Sequence, residues 1–204
     1  MIRLLMILSL SASLSACVSI LPDPAPAPSV YRLASNSNAV VAAANAEIIR
    51  IDRPSSTQIF NSSDIIVTDD GQKLSSVAQA QWSEVTPIII QNAMIDALEG
   101  SSQFVGLVPT SGARTETRLH LVIKSFEANF DQGLESAPLA IVDYRMTYAR
   151  ADDRKLLGTH SVRKTVRAQS INVSSIVVAI EDANNAAMLD VVSWLEGQKG
   201  NRAS

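Results

Sequence analysis

The 204-residue chain has one cysteine, two histidines and eight glycines, and aromatic residues make up only 4% of it. A single cysteine excludes an internal disulfide, so the fold has to be held by its apolar core. The two histidines, His120 and His160, each stand alone in a strand-like segment, and with one cysteine they make no metal-ligand spacing. There is no His-Glu-x-x-His run, no Gly-x-Ser-x-Gly elbow and no glycine-rich phosphate loop. The acidic pairs Asp69-Asp70 and Asp152-Asp153 fall at turns, where neighbouring side chains seldom converge on one reacting atom. These gaps predict a protein that is not an enzyme, has no cofactor and cannot hydrolyse ATP itself. Charged residues are 18% of the chain and the net charge is −3, which offers no basic footprint for nucleic acid. Hydrophobic residues at 47% exclude general disorder.

What is present begins at the N-terminus. Arg3 precedes an apolar run from Leu4 to Leu14, the layout of an export signal. The run is too short to span a bilayer, which takes ~20 apolar residues. It ends in Leu14-Ser15-Ala16-Cys17, which matches the bacterial lipobox at all four positions. Residues 1–16 are therefore expected to be removed, and Cys17 to be lipidated with acyl chains such as palmitate. One chain binds a membrane marginally, and two or more bind durably. Val18 replaces the aspartate that commonly retains lipoproteins in the inner membrane, so the expected address is the outer membrane, facing the periplasm. Residues 17–29 form a tether in which Pro22, Pro24, Pro26 and Pro28 alternate with other residues. As polyproline II, such a spacer reaches about 37 Å.

A single domain over residues 30–197 is expected next, then a flexible tail over 198–204. Tyr31–Leu33 and Glu47–Asp52 read as strands, the latter stopped by Arg53-Pro54. Asp64–Thr68 and Lys73–Val77 read as a hairpin about Asp69-Asp70-Gly71. A helix follows, with Pro87 in its first turn, Thr86 or Ser83 as cap and Gly100 at its end. Phe104–Val108, Thr117–Phe126, Leu139–Arg150 and Leu156–Arg167 read as strands, the last three as an antiparallel meander. A second helix spans Val173 to Glu196, with Val177, Ile180, Ala187, Val191 and Trp194 on one stripe, Asn184 as its polar interruption and Gly197 as its stop. This order predicts an α/β domain, bordering on α+β, with two main helices on a mixed sheet.

Several segments together resemble the ABC-type transport auxiliary lipoproteins, the PqiC-like proteins of Gram-negative envelopes. They are Tyr31-Arg32-Leu33, then Asn61-Ser62-Ser63-Asp64-Ile65-Ile66-Val67. The most specific runs from Ala80-Gln81-Trp82-Ser83 through Pro87 to Asp96-Ala97-Leu98-Glu99 and Ser102-Gln103-Phe104. Leu119-His120-Leu121 through Ser125-Phe126-Glu127-Ala128, Arg154-Lys155-Leu156-Leu157 and Val191-Val192-Ser193-Trp194-Leu195 complete the set. Val162 departs from the family pattern, which usually has phenylalanine there. The resemblance implies a fold similar to TolB N-terminal and anticodon-binding-like domains. It also implies an accessory role in lipid transport beside an ABC permease and ATPase and a protein with a mammalian-cell-entry (MCE) domain, with a homo-oligomer among the assemblies it allows. An envelope scaffold or docking lipoprotein unconnected with transport is the alternative.

One charge feature stands apart. Arg163, Lys164 and Arg167 lie in the last strand, and no acidic residue occurs from 154 to 180. Arg163 and Arg167 share a strand face. The three are a candidate docking patch for an acidic partner or for lipid headgroups, against the plainer reading of a charged edge that resists aggregation.

Overall fold

A computed structural model of the chain describes residues 27–34, 39–69 and 72–203. Cys17, most of the proline tether and the tip of the first hairpin lie outside these residues. The sheet is organised by one long strand, β7 (Thr117–Phe130). One edge of β7 pairs antiparallel along nearly its full length with β8 (Leu139–Arg150), and β8 pairs in turn with β9 (Leu156–Arg167). The expected meander is therefore present, with the limits of β8 and β9 as expected.

The other edge of β7 is shared by three shorter strands laid end to end. β2 (Glu47–Ile51) pairs with its start, β3 (Ser55–Ser56) with its middle and β4 (Asp64–Asp69) with its end, all parallel. The break between β2 and β3 falls at Arg53-Pro54, where proline cannot donate to the ladder. Beyond β2 lies β6 (Phe104–Leu107), and beyond β4 lie β5 (Lys73–Trp82) and β1 (Ser29–Tyr31). The nine strands form one mixed sheet. Two helices, α1 (Thr86–Glu99) and α2 (Val173–Ala203), pack on it and touch each other. The architecture is α+β.

Alternation explains which face is covered. On β8 the residues Ala140, Val142, Tyr144, Met146 and Tyr148 are all buried, as a period of two requires. On β7 the inward set is Leu119, Leu121 and Ile123, and then Phe126 and Ala128. The change from odd to even follows a bulge at Lys124, which inserts one residue between Ile123 and Ser125 and keeps both halves of a 14-residue strand facing the core. Beyond Phe126, where the strand was expected to end, β7 continues paired with β4 on one side and β8 on the other. Ile90, Met94 and Leu98 of α1, and Ile180, Ala187, Val191 and Leu195 of α2, close the core from above. Val162, the departure from the family pattern, is buried opposite Tyr144.

Four local expectations need correction. The first strand is Ser29–Tyr31, not Tyr31–Leu33. The strand expected as Lys73–Val77 runs on to Trp82, whose ring packs 5.6 Å from that of Phe126. Neither Thr86 nor Ser83 caps α1. The N-cap position is Val85, and the Thr86 hydroxyl donates instead to the carbonyl of Ser62 at 3.1 Å. Finally, α2 does not stop at Gly197 but continues to Ala203, because the residues expected as a tail are bonded to the sheet, as described below.

Both helices approach the sheet at glycines. A Cβ on Gly106 of β6 would lie 3.0 Å from Leu98 and 3.3 Å from the Ile95 backbone of α1. One on Gly158 of β9 would lie 3.1 Å from the Trp194 ring of α2. At these two positions a hydrogen in place of a side chain sets the helix–sheet distance.

Candidate functional site

The inward alternation of β2 places Glu47 on the same face as Ile49 and Ile51, and the carboxyl is 6% exposed. A buried carboxylate needs donors, and three elements supply them. Thr117, at the start of β7, donates to Glu47 Oε1 at 2.6 Å. Tyr148, near the end of β8, donates its phenol to the same oxygen. Arg202, in the last turn of α2, donates from Nη2 to Glu47 Oε2 at 2.6 Å and to the Tyr148 oxygen at 2.8 Å. Burial, helped by the bond to Glu47, raises the Tyr148 pKa well above its ordinary value, so the phenol remains a neutral donor. One turn earlier, Lys199 donates to the backbone carbonyls of Asn45 (3.2 Å) and Gln103 (3.0 Å). These bonds hold the last turns of α2 against the sheet.

Two members of this cluster, Thr117 and Arg202, also line a cleft of about 520 Å³. Arg114, Arg150 and Arg202 line it together with Glu116 and Asp152, and Thr115 and Thr117 complete the wall. Arg150 holds Asp152 through two hydrogen bonds of 3.1 and 2.6 Å. The Arg150 guanidinium brings the Asp152 carboxyl down to about 2. A second, smaller cleft of about 210 Å³ lies where the chain leaves β1, lined by Arg32, Leu33, Glu84 and residues of α1.

Strand direction fixes the end of the sheet from which the chain enters. β1 runs parallel to β5, which is antiparallel to β4, which is parallel to β7. The chain therefore enters the domain from the end of the sheet at which β7 finishes. The arginine-lined cleft lies where β7 begins, about 43 Å along the strand at ~3.3 Å per residue.

The residues of the candidate patch are distributed over both faces of β9. Arg163 and Arg167 share the face not covered by helices, and each meets a carboxylate. Arg163 bonds Asp143 at 3.1 Å, and Arg167 bonds Asp131 at 2.8 Å and the carbonyl of Ala137 at 3.0 Å. The Arg167 bond lowers the Asp131 pKa. Lys164 points to the helix side, 2.7 Å from Asp190 of α2. His160 bonds the other oxygen of Asp190 at 2.7 Å, and its ring stacks on Trp194 with centroids 5.1 Å apart. Lys164 first, and His160 second, hold the Asp190 carboxyl below its ordinary range. His120 lies on the uncovered face, 3.1 Å from the Ser55 hydroxyl. One histidine thus has a hydroxyl and the other a carboxylate, on opposite faces of the sheet, and neither borders either cleft. Among the described residues no three His, Cys, Asp or Glu side chains converge as metal ligands.

Sequence reasoning missed the Glu47 cluster. A signal was there: in Glu47-Ile48-Ile49-Arg50-Ile51 an acid holds an inward position of the alternation. Its partner Arg202 went unrecognised because glycines at 197 and 200 make that stretch read as a tail.

A family model described as ABC-type transport auxiliary lipoprotein component matches residues 31–192. No curated protein matches the sequence. Among solved structures, the chain is similar to a Xanthomonas campestris protein of family DUF330. That match has a TM-score of 0.74 and 15% identity, and it covers 86% of this chain and 99% of the other. An uncharacterized protein follows with a TM-score of 0.65 and 8% identity, over 83% of this chain and 99% of that one. A hypothetical protein of Chlamydia trachomatis has a TM-score of 0.50 and 10% identity, over 75% and 97% of the respective chains. At such identities the likeness is one of fold.

Proposed function

The chain belongs to the ABC-type transport auxiliary lipoprotein component family, and from that premise we propose that it is a non-enzymatic, lipid-anchored subunit of an MCE-associated lipid transporter. It is held to the periplasmic face of the outer membrane through acylated Cys17, and it tethers or positions the transporter there. The observation that carries this reading is the family match across almost the whole folded domain. The lipobox at Leu14-Ser15-Ala16-Cys17 and the proline spacer support the mode of attachment. No helix among the described residues is long and apolar enough to cross a membrane.

The geometry favours one orientation. With the anchor ahead of β1, the membrane lies towards the end of the sheet where β7 finishes. The Glu47 cluster and its arginine-lined cleft then face away from the membrane, towards the subunits of the transporter. The test is affinity capture of the intact lipoprotein from detergent-solubilised envelopes, with the co-purified proteins identified by mass spectrometry. Recovery of a permease, an ATPase and an MCE-domain protein is the expected outcome, and their consistent absence would refute the assignment. Replacement of Cys17 by serine should move the protein from the membrane to the soluble periplasmic fraction. Continued membrane retention would show that acylation is not the main attachment.

A further inference from the structure

The cleft at the start of β7 combines features that point to a ligand. Five of its seven lining residues are charged, three positive and two negative, and no Leu, Ile, Val, Met or aromatic side chain lines it. Two of the arginines are already fixed. Arg150 uses Nε and Nη2 on Asp152, and Arg202 uses Nη2 on Glu47 and Tyr148 and Nε on the carbonyl of Gln198. In each the remaining Nη1 has no acceptor among the described residues, so two immobilised guanidinium groups keep spare donors. Arg114 and Glu116 differ from these: both are exposed, and among the described residues their side chains have no hydrogen-bond or ion-pair partner. The cleft therefore presents spare fork-shaped donors, those of Arg114 and the Nη1 groups of Arg150 and Arg202, which suit phosphate oxygens, beside the Glu116 carboxylate, which has no cation among the described residues. Its volume of about 520 Å³ is within the usual size of small-molecule sites.

We propose that this cleft binds the headgroup of a zwitterionic phospholipid of the phosphoethanolamine class. Arg114, with the free Nη1 donors of Arg150 and Arg202, takes the phosphate, and Glu116 takes the ammonium. The polar lining admits a headgroup and excludes acyl chains, so a bound lipid keeps its chains outside the cleft. The choice of a lipid as the source of this headgroup rests on the transport reading above. Binding is measured on the lipoprotein alone, so it stands or falls separately from the capture of transport partners.

The full-length lipidated chain, in a neutral detergent, is titrated calorimetrically with glycerophosphoethanolamine. Inorganic phosphate, glycerol 3-phosphate and ethanolamine are titrated in parallel. The expected result is saturable binding of glycerophosphoethanolamine at least tenfold tighter than any of the other three. R114A should weaken it tenfold or more, and E116Q should reduce it to the level of glycerol 3-phosphate. Neither side chain has a partner to lose among the described residues, so both variants should melt like the wild type. Dihexanoyl phosphatidylethanolamine should displace the soluble headgroup. Absence of saturable binding, equal binding of inorganic phosphate, or variants with unchanged affinity would overturn the site. Failure of the short-chain lipid to compete would overturn the lipid as its source and leave a soluble phosphodiester.

Discussion

Glu47 shows how much depends on one side chain when its donors come from three different elements. Thr117, Tyr148 and Arg202 each spend a hydrogen bond on it, and without it Tyr148 and Arg202 face each other with no anion between them. Breaking a well-buried pair by removing one partner costs about 3–5 kcal/mol. Arg202 is about one-third exposed and can recover some solvation, so E47A should cost nearer ~3 kcal/mol. In a domain of this size that is a fall of roughly 6–12 °C in melting temperature, readable by thermal denaturation. Asp190 makes a different prediction. Lys164 and His160 depress its pKa below the ordinary 3.8, so its contribution is complete above that value and is lost as pH falls through the lower, folded value. Denaturant unfolding at pH 7 and pH 3 should show D190N losing less stability on acidification than the wild type. The difference should stay below about 1 kcal/mol, since the group is partly exposed.

At the scale of elements, the C-terminal helix carries the main departure from expectation. Gly197 reads as a stop because glycine is a poor helix former. Tertiary bonds from Lys199 and Arg202 outweigh that propensity and extend α2 to Ala203. A chain ending at Gln198 should therefore melt several degrees lower than the full chain, whereas deletion of a flexible tail would leave the transition where it was. The limits of β8 were legible because Ala140, Val142, Tyr144, Met146 and Tyr148 alternate without a break. The end of β7 was not, since the bulge at Lys124 reverses the alternation midway and puts Phe126 and Ala128 out of phase with Leu119, Leu121 and Ile123. Caps misled for a related reason: Thr86 has the right chemistry for capping, but the Ser62 carbonyl claims its hydroxyl. The candidate site was the least legible part. Its members are 47, 117, 148 and 202 in the chain, and only the strand order brings them together. The pairing of β2 with β7, and of β7 with β8, crosses segments whose register no local pattern specifies.

For the molecule as a whole, the sheet has two different ends. The chain enters at the end where β7 finishes. The opposite end holds the arginine-lined cleft and the turn between β8 and β9. This polarity follows from strand direction, and under the proposed function it sets the lipid anchor on one side and the transporter-facing surface on the other. It is tested most directly by site-specific photo-crosslinking in intact cells, with the reactive residue in place of Lys155 at the cleft end or Gln132 at the entry end. The account predicts that the probe at 155 captures a subunit of the transporter and that the probe at 132 does not. Capture from position 132 alone, or from neither position, would contradict it.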